Sequence, residues 1–121
     1  MSITRQTFHT TPKHSAKFLG SGTLEVLATP ALVTFMENTA STFIQKQLEE
    51  GKTSVGSEMA IQHLKASKIG EDIDIVITAL KEESHRYDFR LEAFAKNELI
   101  AKACHTRVRI DTQRFLKSLE Q

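Results

Sequence analysis

The sequence of 121 residues contains a single cysteine, Cys104, so no disulfide can form within the chain. Its 16 basic and 15 acidic residues nearly balance, which gives no support for an extended surface that binds nucleic acid or anionic lipid. The sequence has no secretory leader with a charged and then an apolar region, and no apolar run of membrane-spanning length. We therefore expect a cytoplasmic protein that binds neither nucleic acid nor membrane.

Several sequence signals of function are also missing. No group of histidines, cysteines and carboxylates has the spacing of metal ligands, so no metal site is predicted. The segment Gly20-Ser21-Gly22 lacks the preceding strand, the lysine and the following helix of a phosphate-binding loop, and we interpret it as part of a flap. Repeats, low-complexity segments and linkers are absent, so we expect one domain over residues 1–121.

The segment Val26–Asn38, VLATPALVTFMEN, contains a strong helix-start signal. Thr29 before Pro30 predicts the start, because a threonine hydroxyl can accept a hydrogen bond from a first-turn amide and proline already has a helical φ angle. From Leu32 onward apolar residues recur at three-and-four spacing, and Gly51 stands where a C-terminal glycine is expected. The pattern predicts a helix of roughly twenty residues, about 30 Å long.

A carboxylate, Glu37, lies at the edge of the apolar stripe of this helix. At about 100° per residue it falls roughly 20° from Ile44 and from Leu48. A carboxylate in that position needs partners, which makes it a candidate functional residue, although a glutamate at a helix edge more often reaches solvent.

The rest of the chain has the patterns of strands and turns. His63 shares its predicted strand face with apolar neighbours, including Val55 and Met59. The order of elements predicts an α+β fold in which a curved antiparallel sheet wraps around one long central helix. Since such a sheet leaves an exposed edge, we also expect at least a homodimer. The predicted strands are Ser2–Thr11, Leu24–Leu27, Thr53–Lys65, Ile73–Lys81, Arg86–Ala95 and Leu99–Ile110, with a loop at Lys13–Thr23 and a short final helix capped by Asp111.

Three motifs carry a resemblance to a known family: VLATPALVTFMENTA at residues 26–40, SVGSEMAIQHLKASKIGE at residues 54–71, and HTRVRID at residues 105–111, followed by Arg114-Phe115. With these motifs the chain resembles the hotdog-fold acyl-CoA thioesterases, in particular the fluoroacetyl-CoA thioesterase family, over nearly its whole length. The resemblance implies a hotdog fold and hydrolysis of an acyl-CoA thioester to free acid and coenzyme A. It implies no cofactor, since coenzyme A enters only as part of the substrate.

The resemblance also implies roles for five residues. Thr29, Glu37 and His63 match the family's active site by position. Gly56 matches a glycine near the acyl thioester, and Arg107 matches an arginine held near the active site and ligand. Taken one at a time, Thr29 fits a helix cap, Gly56 a strand bulge and Arg107 a solvated strand face.

Two questions stay open at this level. Glu37 could attack the thioester to form an anhydride or could activate a water molecule, and His63 fits acid–base work near neutral pH. The flap segment Leu19–Thr23 lacks the aromatic residues of fluoroacetyl-specific enzymes, so we predict a different acyl group. The alternative functions are a non-catalytic module that binds or senses acyl-CoA, and a hydratase or dehydratase of enoyl or 3-hydroxyacyl thioesters on the same fold.

Overall fold

The computed structural model describes residues 3–120, and it has five strands and three α-helices in that part of the chain. The predicted strand Ser2–Thr11 lies partly outside the described residues, because these begin at residue 3. The strands are β1 (Thr4–His9), β2 (Lys52–His63), β3 (Asp72–Glu83), β4 (Arg86–Ala95) and β5 (Glu98–Asp111); the helices are α1 (Ala16–Leu19), α2 (Thr29–Gln45) and α3 (Thr112–Ser118), with a 3₁₀ turn at Pro12–His14.

The strands form one sheet in the order β1-β3-β4-β5-β2, and every neighbouring pair is antiparallel. Strand β2 therefore lies at one edge of the sheet, with only β5 beside it. Helix α2 packs against the sheet, as the predicted α+β architecture requires. No helix between residues 3 and 120 is long and apolar enough to cross a membrane.

The core lies between α2 and the inner face of the sheet. Helix α2 contributes residues four apart, and strand β3 contributes every second residue, so each element supplies the side chains that its period places on one face. The fully buried side chains of these two elements are Leu32, Met36, Ala40, Ile44, Ile73, Ile75 and Ile77.

Two element boundaries differ from the sequence prediction. Helix α2 ends at Gln45, because the next amides, those of Gln47 and Leu48, bond three residues back and the chain leaves the helix in tight turns. The predicted strand Leu24–Leu27 is wrong: only its last two residues form bridges, and each of these is isolated. The predicted loop Lys13–Thr23 instead contains α1, whose first turn is capped by the side chain of Ser15.

A β-bulge in β2 changes which residues face the core. The register with β5 shifts between Gly56 and Glu58, so Gly56 and Met59 both lie opposite inward-facing residues of β5. The predicted face with Val55 beside Met59 is therefore wrong, because the extra residue at the bulge reverses the alternation. Past the bulge, Met59 and His63 share a face as predicted.

Replacing Ile44 by alanine should lower the free energy of unfolding by about 2–5 kcal/mol, because Ile44 is fully buried and its loss leaves a cavity. The matched control is Thr42→Ala on the exposed face of the same helix, which should change it by no more than about 0.5 kcal/mol. Urea denaturation measures both. Equal losses in the two variants would contradict the assigned helix face.

Candidate active site

Thr29 and His63 form one part of the candidate site. The Thr29 Oγ1 atom lies 2.8 Å from Nδ1 of His63, at the point where the start of α2 meets the end of β2. The cap residue of α2 is Ala28, and Thr29 already has a helical position. The prediction that Thr29 caps the helix is therefore wrong: its hydroxyl lies past the cap position and contacts the imidazole instead.

His63 is held as a neutral ring at neutral pH. Burial lowers the pKa of His63 below its ordinary value, and a backbone group of Lys65 near the ring only partly opposes this. The Nε2 atom is buried and makes no hydrogen bond within residues 3–120. A cavity of about 410 Å³ lies beside the pair and is also lined by Ala16 and Ser21 of the flap. A neutral imidazole with an uncommitted nitrogen beside a cavity can accept or donate a proton.

Glu37 lies in a second cluster, over Gly56. A side chain at position 56 would begin 3.0 Å from Oε2 of Glu37, 3.2 Å from Cε1 of His105 and 3.4 Å from Nη1 of Arg107. Glycine is therefore what allows the carboxylate of α2 to approach the β2 backbone and the two side chains of β5 so closely. The bulge proposed for Gly56 from sequence is present, and it is where this contact occurs.

Arg107 is buried rather than on a solvated strand face, so that alternative is wrong. Its Nε donates to Oγ of Ser54 at 2.8 Å, its Nη2 to the Ser54 carbonyl at 3.0 Å, and its Nη1 to Nε2 of His105 at 3.1 Å. Burial lowers the pKa of Arg107, and the negative charge of Glu37 opposes that shift. The guanidinium thus keeps its charge through hydrogen bonds and through the nearby carboxylate.

Sequence reasoning missed His105 and Ser54 as members of this cluster. His105 is 1% exposed, and its Nδ1 lies 2.8 Å from the carbonyl of Glu58. A signal was available: His105 and Arg107 are two apart on β5, so they share a face with the buried alanines Ala101 and Ala103. A pair of polar residues on an otherwise small and apolar strand face needs partners, and Ser54 supplies one of them.

The structure does not bring the three predicted catalytic residues together within one chain. Thr29 and Glu37 are eight residues apart on the same helix, which separates them by about 12 Å along its axis. Within residues 3–120, no hydrogen bond joins Glu37 to Thr29 or to His63. Gly56 and Arg107, by contrast, do lie beside Glu37.

A family profile of fluoroacetyl-CoA-specific thioesterases matches residues 10–113, a range that contains all five predicted site residues. The chain belongs to this family. Membership places it among the acyl-CoA thioesterases, which hydrolyse the thioester to free acid and coenzyme A, as the resemblance implied. No curated protein sequence matches the chain.

Solved structures confirm the predicted hotdog fold. A point mutant of the fluoroacetyl-CoA-specific thioesterase, in complex with fluoroacetate and CoA, superposes with a TM-score of 0.91 at 23% identity, covering 98% of this chain and 97% of that one. A Thermus thermophilus hypothetical protein of the thioesterase superfamily has a TM-score of 0.86 at 26% identity over 96% and 88% of the two chains. A hot-dog-like protein from Thermanaerovibrio acidaminovorans has a TM-score of 0.87 at 21% identity, covering 96% of this chain and 86% of that one.

Acid should destabilise the fold through His63 and His105. Burial is the main cause that lowers the pKa of each, so below about pH 6.5 the unfolded chain binds protons that the folded chain does not. Stability is therefore full above that pH and falls as the pH drops toward the lowered values. The midpoint of urea unfolding should decrease between pH 7.5 and 5.5.

Replacing both histidines by glutamine should flatten this pH dependence. The control His85→Gln, in an exposed turn, should leave it unchanged. An undiminished pH dependence in the double variant would contradict the assignment.

Proposed function

We propose that the protein hydrolyses acyl-CoA thioesters with Thr29, His63 and Glu37, and that each active site combines residues from two copies of the chain. The observation that carries this proposal is the separation of the site into two parts. A hydroxyl–imidazole pair lies at the start of α2. The carboxylate lies about 12 Å farther along the same helix, over Gly56.

The start of α2 is suited to the thioester carbonyl. The amide of Thr29 and the positive end of the helix dipole favour negative charge, which develops on the carbonyl oxygen during attack. His63, neutral and beside this point, can take a proton from solvent and pass it to the sulfur of the departing coenzyme A. Water and these side chains suffice for the hydrolysis, so we propose no cofactor.

Glu37 supplies the attack on the carbonyl carbon. It either bonds to that carbon directly, giving an anhydride that water then hydrolyses, or removes a proton from the water that attacks. Both routes break the carbon–sulfur bond and end in a free acid and a thiol. The open approach over Gly56 supports either, because the carboxylate is half-buried and has no hydrogen-bond partner among residues 3–120.

A second copy can complete the site through the free edge of β2. Antiparallel pairing of two β2 strands around an axis at Ala60 sets Met59 opposite Ile61. Because the bulge adds one residue between Gly56 and Glu58, the same pairing sets position 56 of one strand opposite position 63 of the other. Glu37 above Gly56 is then brought toward the partner's His63. The edge position of β2 and its unpaired backbone support this homodimer.

We propose a small or medium acyl group other than fluoroacetyl. The flap beside the cavity contains Ala16 and Ser21, and its segment Leu19–Thr23 has no aromatic residue. Structures of the fluoroacetyl-CoA thioesterase hold fluoroacetate with CoA and, in a mutant, acetyl-CoA, which supports small acyl substrates. A cytoplasmic location is part of the proposal, since the single free thiol, Cys104, is exposed.

Glu37→Gln and His63→Ala should each lower kcat at least about a hundredfold, because each removes a proton-transfer or attacking group. Release of free thiol from a panel of acyl-CoA chain lengths measures the rate, and circular dichroism verifies the fold. Glu49→Gln and His85→Ala, both exposed, are the matched controls.

Near-normal rates in both site variants would contradict the site assignment. Absence of thiol release by the unmodified protein over the whole panel would contradict the proposed hydrolysis. Binding of acyl-CoA without turnover would then favour an acyl-CoA sensor. A change in the absorbance of an enoyl thioester would favour a hydratase or dehydratase.

Subunits with different lesions should complement each other. A heterodimer of one Glu37→Gln subunit and one His63→Ala subunit retains one intact composite site of two, so it should show about half the wild-type rate. Co-expression with two different tags isolates this species.

The matched control pairs Glu37→Gln with a subunit that carries both substitutions. Neither site of that pair is intact, and no activity should return. If each chain contained a complete site, the first heterodimer would stay as inactive as its parents.

A further inference from the structure

Arg107 and Glu37 face each other across Gly56 without forming an ion pair. Their Nη1 and Oε2 atoms lie 3.4 and 3.0 Å from the same point, the site where a Cβ of residue 56 would stand. Yet Glu37 has no cation within 4 Å among residues 3–120. A paired carboxylate and guanidinium form strong bidentate hydrogen bonds when they are free to meet. Something must hold Arg107 back.

The restraint is the set of hydrogen bonds that Arg107 donates to Ser54 and His105. Ser54 accepts from Nε and, through its carbonyl, from Nη2, while His105 accepts from Nη1. All three nitrogens of the guanidinium are thus engaged. The one bond that fixes Nη1, the nitrogen nearest to Gly56, is the bond to His105.

The surroundings of His105 fix its tautomer. The Glu58 carbonyl can only accept, so Nδ1 carries the proton; Nη1 of Arg107 can only donate, so Nε2 is unprotonated. The ring is 1% exposed and lies beside Phe89 of β4, with ring centres 6.2 Å apart. The charged groups that face it are Arg107 on its own strand and Glu37 on α2. From β2 it meets Gly56, the backbone of Glu58 and its cross-strand neighbour Met59.

We propose that His105 is a positioning residue that holds the Arg107 guanidinium off the Glu37 carboxylate, and thereby keeps that carboxylate free for the thioester. The inference rests on the proposed function of Glu37. Without the acceptor at Nε2, the planar guanidinium pivots about its two bonds to Ser54, so that Nη1 moves toward Glu37 and pairs with it. The carboxylate is then weakened as a nucleophile or base, while substrate binding at Thr29 and His63 is unaffected.

Two variants of His105 separate its two hydrogen bonds. Glutamine places its amide near Nε2 and can still accept from Arg107; asparagine reaches only as far as Nδ1 and can donate to Glu58 but cannot accept from Arg107. We expect His105→Asn to lower kcat at least about tenfold with KM within about threefold, because the reacting group is displaced. His105→Gln should restore kcat to within about threefold of wild type.

The control is Cys104→Ser, on the outer face of the same strand, which should leave kcat and KM unchanged. If His105 were merely structural, kcat would fall equally in both variants, since each variant loses one of the two hydrogen bonds. Equal loss, or no loss in either, would overturn the proposal.

A second measurement does not depend on turnover. The ¹⁵N spectrum of the wild-type protein at pH 7 should show His105 protonated at Nδ1 and bare at Nε2. The opposite tautomer, or a doubly protonated ring, would overturn the proposal even in an active enzyme. If the spectrum is as expected and the wild type hydrolyses no thioester, the proposed function fails while the restraint on Arg107 stands.

Discussion

The close approach of helix α2 to strand β2 at Gly56 is the contact on which the rest of the site depends. Any larger residue there would begin within 3.4 Å of three side chains of the candidate site, one of them the buried His105. The approach brings a carboxylate from the helix against an arginine and a histidine from β5. Packing of an apolar helix face, which gives the fold its core, thus also sets the electrostatics of the site.

In this region opposite charges lie close together but are kept from pairing. Arg107 is buried and compensated by hydrogen bonds, His105 is held neutral, and Glu37 lies near both without being neutralised by either. A buried charge is stable only when its donors are satisfied, and here Ser54 accepts two of the three hydrogen bonds that Arg107 donates. The pair of Thr29 and His63 at the start of α2 carries no full charge at neutral pH, which suits it to the polar but uncharged carbonyl of a thioester.

Much of the fold was predictable, because its elements follow simple periods. The pattern from Leu32 onward predicted α2, and Arg86–Ala95 was predicted with the bounds that β4 has. The face of the sheet on which Val55 lies was not predictable, since the bulge that sets it depends on the pairing of β2 with a distant strand. The cap interpretation of Thr29 was wrong for a related reason: a helix cap and a partner of His63 can have the same local sequence, and only the tertiary position of β2 distinguishes them. The five candidate residues came from resemblance, and their division into two clusters required coordinates.

The bulge in β2 has a consequence for the evolution of this site. Gly56 and His63 are seven residues apart, an odd number, so in a regular strand they would point to opposite faces. Gly56 and His63 lie on the same face of the sheet only because the bulge places one extra residue between them. Loss of a single codon between them would therefore turn the imidazole away from the helix while leaving Gly56 and His63 themselves in the sequence. The number of residues in this segment thus matters to the site as much as the identity of the two residues at its ends.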